Sequence, residues 1–245
     1  MNEPAPPVKV VLRIPGPWSE PSELLERMPA GYRLGPEALI LPSGAQVKTD
    51  FARPDEEFPG IFRTSLRRPA TQEELAISDN YEVNVLLSGP GGSLEAAKTL
   101  LEAGASFVQA GAAGVFIDNC GLSFGGELWL QMAEDGSSDA VSFAFVSIIR
   151  SETEVWTMGF HVLGMRDVIM KRADVEQGGY DIVEVIRYLA RGEKPVDDRH
   201  VIADLDGPRF QCFAEDGDAR TAGSPMYNPF GRLRLVSLRD IADNN

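Results

Sequence analysis

The sequence predicts an α+β protein built on a mixed β-sheet that contains a βαβ unit and an antiparallel hairpin, with helices mainly on one face. Three observations carry that expectation. From Tyr81, a β-run, a long amphipathic helix and a second β-run follow in the order of a βαβ crossover. Two apolar runs, "AVSFAFVSIIRSE" and "EVWTMGFHVLG", lie close enough to pair as a hairpin. Three short alternating segments, "RHVIADL", "RFQCFAE" and "GRLRLVSL", close the chain as strands.

Taken in order, "VKVVLRI" reads as a strand and "SEPSELLERM" as a short helix capped by Ser19 or Ser22. "EALILPSGAQVKTDF" reads as a hairpin turning at Ser43-Gly44. Twelve of the 17 prolines fall in residues 1–70, which separates these pieces by turn chemistry and leaves them little amphipathic length. Residues 1–70 are therefore expected to form a small lobe or wrap, and residues 71–245 the main α+β domain. "TQEELAIS" bridges the two as a helix.

In the main domain "YEVNVLLSG" is a strand, and residues 93–110 follow as a helix. Leu94, Ala97, Leu101, Ala105 and Val108 form its apolar stripe, whose small residues suggest close approach to a sheet. "AGVFID" is the next strand and "GGELWLQMAEDG" a short helix. "DIVEVIRYLARG" carries the strongest helix signals: Asp181 at the start, Ile182, Val185, Ile186 and Leu189 on one face, and Gly192 at the stop.

Composition narrows the partners. A formal net charge of −14 repels phosphate backbones and anionic lipid, so nucleic acid and membrane surfaces are not expected partners; a basic protein is. The start "MNEPAPPVKV" lacks a basic segment followed by an apolar run, and no apolar stretch reaches a membrane span. Cys120 and Cys212 are then expected as free thiols in a cytoplasmic compartment.

The stretch "TMGFHVLGMRD" with the helix, acidic turn and strands after it resembles the domain of unknown function 4261 family. Thr157, Gly159, Gly164 and Asp167 carry the resemblance, which covers about residues 81–238. The turn after the helix departs from that pattern, reading Asp197-Asp198-Arg199-His200 where an Asp-Gly pair is expected. The family implies no settled activity.

The most site-like stretch is "LLSGPGGSLEAAKTLLEAG", a strand, glycine turn and helix start that could present backbone N–H groups to an anion. The dinucleotide fingerprint wants a glycine where Leu94 stands, and no Gly-Lys-Ser/Thr follows. A tight turn with Ser93 as helix cap is the plainer reading, with a small anionic ligand as the alternative. If the strands flanking the helix are parallel neighbours, Gly91, Gly92 and Ser93 face Asp118, Asn119 and Cys120 across a crevice at the strands' carboxyl ends. His161 is either a half-buried sheet residue or a general base oriented by Asp118 or Asp167.

No metal-ligand spacing and no cofactor motif occurs. The acidic run Asp197, Asp198, Asp204, Asp206, Glu215, Asp216 and Asp218 reads as a solvated face. "GSPMYNPFGRLRL" reads as a fixed loop whose aromatics plug a sheet end. The sequence thus favours a non-catalytic binding or interaction protein with an acidic surface over a small hydrolase-like enzyme using His161, Asp118 or Asp167.

Overall fold

Alternation in one N-terminal segment decides the centre of the fold. Val10, Leu12 and Ile14 are fully buried on one face of strand β1 (Lys9–Gly16), while Arg13 lies on the other. In the computed structural model the described residues are 7–176, 181–192, 194, 196–203 and 209–243. After β1 come helix α1 (Pro21–Arg27), strands β2 (Arg33–Leu34), β3 (Ala38–Ile40) and β4 (Gln46–Ala52), helices α2 (Phe58–Thr64) and α3 (Gln72–Asp79), and strand β5 (Val83–Pro90). Helix α4 (Leu94–Gln109), strands β6 (Gly114–Ile117) and β7 (Leu122–Gly125), and helices α5 (Gly126–Asp135) and α6 (Ser138–Phe145) follow. The rest comprises strands β8 (Ser147–Arg150), β9 (Glu154–Met158) and β10 (Asp167–Lys171), helices α7 (Arg172–Glu176) and α8 (Ile182–Arg191), strands β11 (Val201–Ala203), β12 (Arg209–Glu215) and β13 (Arg232–Ser237), and helix α9 (Leu238–Asp243).

The first sheet runs β2-β3-β4-β5-β1-β6-β7, and every pairing in it is antiparallel. This corrects the expected βαβ unit. β5 and β6 do run in the same direction on either side of α4, but β1 lies between them, with Lys9 opposite Pro90 and Leu12 opposite Ile117. Strands consecutive in sequence are usually neighbours, but a distant strand with a stronger apolar face can take the place between them. The boundary expected at residue 70 is corrected too, because residues 9–52 supply four of this sheet's seven strands, with β1 and β4 in its interior.

The second sheet, β11-β12-β13-β10-β9-β8, is mixed, and its parallel pair is β10 with β13. The expected hairpin exists as β8 and β9, registered from Ser147 opposite Met158 to Arg150 opposite Val155. It is shorter than the apolar runs. Ser137 caps the first run as α6, its hydroxyl accepting from Ala140 N–H at 3.1 Å. The second run leaves β9 at Gly159 (φ +113°), makes a 3-10 turn over Phe160–Leu163 and exits at Gly164 (φ +80°).

Helix signals read well where caps are explicit. Ser93 accepts from Ala96 N–H at 3.1 Å, Thr71 and Glu74 form a capping box on α3, and Asp181 caps α8, which ends at left-handed Gly192. Neither Ser19 nor Ser22 caps α1; Glu20 holds that position without a side-chain bond. α4 packs on the first sheet, where a Cβ at Gly89 would lie 3.3 Å from Leu100, and also closely on α5, where a Cβ at Gly104 would lie 2.9 Å from Trp129 Nε1. Most helical side chains join one core with both sheets, while Phe58, Phe62 and Tyr81 form a second cluster against Phe116, on the opposite face of the first sheet.

Candidate functional site

Thr157, Phe160, Asp167 and Asn228 form a buried polar corner where β9 turns into β10. Asp167 is 5% exposed, and its Oδ1 accepts from Thr157 Oγ1 and from Phe160 N–H, both at 3.2 Å. Asn228 Nδ2 donates to Oδ2 at 2.8 Å and to Met165 O at 3.0 Å. Thr157 Oγ1 also accepts from Val168 N–H at 2.7 Å, which ties the two strands together. Burial pushes the Asp167 carboxyl up to about 7 against the lowering effect of these donors and of Arg232.

His161 sits on the 3-10 turn and is 1% exposed. Its Nε2 lies 3.0 Å from Pro225 O and 3.1 Å from Asn119 Nδ2. A carbonyl oxygen only accepts, so Nε2 carries the proton and donates to Pro225 O; the tautomer is assigned from this network. Nδ1 is then a lone pair sealed in the interior with no donor among the described residues. Burial lowers the imidazole to about 4 despite the Pro225 bond. Asn119 completes the junction: Oδ1 accepts from Val11 N–H, while Nδ2 donates to Lys9 O and Pro225 O, each at 3.0 Å.

The remaining nominated residues belong to the same junction and do not form a crevice. Gly91 N–H donates to Val8 O and Gly92 N–H to Val162 O, both at 2.9 Å, so the turn's donors are spent on the chain itself. A Cβ at Gly164 would lie 2.3 Å from Gly92 O. Ser93 is the cap of α4. Asp118 is held by Arg13, at 2.7 Å to Nε and 3.1 Å to Nη2. Cys120 is buried, its thiol pushed up to about 12 by desolvation, which leaves no thiolate at neutral pH.

The expected pairing of His161 with Asp118 or Asp167 is therefore corrected: the histidine donates to the Pro225 carbonyl, with Asn119 Nδ2 alongside bonding the same oxygen, and each carboxylate is committed elsewhere. The loop at 223–231 is fastened inward by Pro225 O, Asn228 and Phe230 O, the last accepting from Arg166 Nε at 2.9 Å, while the side chains of Met226, Tyr227 and Phe230 are half-buried. Among the described residues no cluster of three or more His, Cys, Asp or Glu could hold a metal; Asp204 and Asp206 lie outside them.

The open site lies elsewhere, in residues the sequence reading passed over. A cavity of about 600 Å³ is bounded by α1 on one side and by the β2–β3 turn and the end of β4 on the other, with Trp18 and Val83 in its wall. Leu25 is 52% exposed and Phe51 42% exposed on its lining. Phe51 continues the β4 face that buries Val47 and Thr49, but β3 stops opposite Lys48, so nothing covers this end. Thr49 N–H points outward to Glu37 O, so Phe51, two residues on, also presents its N–H and C=O outward. Asp50 Oδ1 accepts that N–H at 2.9 Å. The available signal was the alternation Val47, Thr49, Phe51 running into the polar "ARPDEE" with no cover in sequence.

No family model, curated protein or solved structure matches this chain. No helix among the described residues is long and apolar enough to cross a membrane.

Proposed function

We propose that this is a non-catalytic binding protein that takes an extended, apolar segment of a basic partner into the groove between α1 and β4. The observation that carries the reading is the apolar cavity of about 600 Å³ with Leu25 and Phe51 left open, within the size range of ligand sites. An incoming strand would pair with the outward C=O of Phe51, take its N–H in place of Asp50 Oδ1, and seat alternate side chains against Trp18 and Leu24. Glu20 and Glu82 on the lining outnumber Arg53, and the whole chain's charge of −14 favours a cationic occupant. A hydrolase built on His161 has less support, because its basic nitrogen is sealed and lacks a carboxylate partner.

Cytoplasmic residence fits two buried free cysteines. Relationship to the domain of unknown function 4261 family belongs to the same proposal; in its favour, Thr157, Gly159, Gly164 and Asp167 all shape one corner of this fold.

The test uses a short peptide alternating lysine and leucine, with an all-lysine peptide of equal length as control. The Lys-Leu peptide is expected to bind about tenfold tighter or better, and Phe51→Ser to erase that difference. Equal binding of the two peptides would reduce the interaction to general electrostatics and reject the groove.

A further inference from the structure

A second cavity, of about 310 Å³, shares no lining residue with the groove and has a different chemistry. Arg67 and Arg68 line it together with Phe143, Leu128, Met132 and Ile186. Arg67 stacks on Phe143, 4.2 Å from guanidinium carbon to ring centroid, and Arg68 lies 5.4 Å from the same centroid.

Arg67 has no carboxylate partner among the described residues. Its Nη1 donates to Phe143 O at 2.9 Å and to Val146 O at 2.6 Å, while Nε and Nη2 have no hydrogen-bond partner among the described residues. Desolvation lowers its pKa, and Arg68 beside it adds to that. Arg68 itself is exposed and has no ion pair among the described residues. In a chain of net charge −14, nine other arginines pair with acids, whereas the adjacent Arg67 and Arg68 at this cavity form no ion pair among the described residues.

The lining also contains acids, and they do not cancel this charge. Asp139 accepts from Arg191 at 2.9 Å and 2.6 Å and faces Arg187 at 3.8 Å, so it is already neutralised. Asp135 accepts from Ser137 N–H at 3.1 Å at the start of α6. Guanidinium groups present forked donors matched to oxyanions, and the apolar wall beside them favours a ligand with a hydrocarbon or aromatic body.

We propose that this cavity binds a small oxyanion carried on an apolar body, with Arg68 and the free edge of Arg67 contacting the anion and Phe143, Leu128, Met132 and Ile186 contacting the body. The anion then supplies the counter-charge that Arg67 lacks.

Titration calorimetry with phenyl phosphate and with benzoate tests this, with inorganic phosphate as the control. One of the two aryl anions is expected to bind with Kd of about 1 mM or tighter, and which one binds identifies the oxyanion. Arg68→Gln, which breaks no recorded hydrogen bond, should weaken binding about tenfold or more at an unchanged melting temperature. Absence of binding by both aryl anions, equal binding by Arg68→Gln, or inorganic phosphate binding as tightly as either would overturn the proposal.

Discussion

The polar corner around Asp167 and His161 and the apolar groove beside α1 are built in opposite ways. The corner uses reactive residue types and leaves almost none of their capacity free: every polar atom of Asp167 and Asn119 is bonded within the chain. The groove uses leucine, phenylalanine, proline and valine, and leaves them open. Residue chemistry therefore marks where the fold is fastened, and missing neighbours mark where apolar surface is left open. Buried polar groups are costly unless satisfied, so a junction of two sheets spends its histidine, aspartate and asparagine on holding itself together.

Backbone substitutions in the corner should give the largest effects. At Gly164 (φ +80°) a Cβ would lie 2.3 Å from Gly92 O, and at Gly159 (φ +113°) 2.0 Å from Phe145 O. Gly164→Ala is expected to cost about 3 kcal/mol or more in denaturant unfolding. A cost under about 1 kcal/mol would mean that the glycine turn and the 3-10 turn are not locked together. Asn119→Ala comes next, at about 2 kcal/mol, because it leaves Val11 N–H and Lys9 O without this partner and Pro225 O with His161 alone.

The corner also predicts a concealed pH dependence. With Asp167 raised to about 7, the folded state holds a proton that the unfolded carboxyl releases near 4. Its contribution is complete below about pH 4 and is lost as pH rises through 7. With His161 lowered to about 4, the folded imidazole stays neutral while the unfolded one charges below about 6.5. Its contribution is complete above about 6.5 and is lost as pH falls through 4. The two slopes oppose each other between about pH 4 and 6.5, so the parent protein should be nearly flat there. Asp167→Asn should make stability rise with pH in that window and His161→Gln should make it fall, each by at most about 1.4 kcal/mol per pH unit. Parallel profiles for both variants would show that burial is not what sets these two groups.

How much of this was legible in the sequence depended on range. Local signals held: Ser93 caps one helix, Asp181 starts another that Gly192 ends, and Ser43-Gly44 turns a hairpin. The hidden part was long-range. Nothing within residues 81–118 reveals that Lys9–Gly16 comes between β5 and β6, and that single insertion turned a supposed pocket rim into a seam. The sequence reading sets Gly91 opposite Asn119 and His161 beside Asp118 or Asp167, whereas Asn119 Nδ2 lies 3.1 Å from His161 Nε2, and proximity alone does not distinguish a cleft from a junction. The run from Val141 read as a strand because apolar density is shared by strands and buried helices; the Ser137 cap was the signal that separates them.

The groove should respond least in stability and most in recognition, the reverse of the corner. Leu25 and Phe51 are half-exposed, so their truncation removes little area from the folded core. Leu25→Asp and Phe51→Ser are each expected to change unfolding free energy by no more than about 0.5 kcal/mol. Either change should nevertheless abolish the preference for the lysine-leucine peptide, since burial of apolar area contributes about 25 cal/mol per Å² only when a partner covers it. Apolar residues left open cost solubility without adding to stability, and that is the physical basis for the partner proposed to cover them. A loss of about 2 kcal/mol or more in Phe51→Ser would instead make the residue part of the core, and the groove a packing gap in β4's unprotected end.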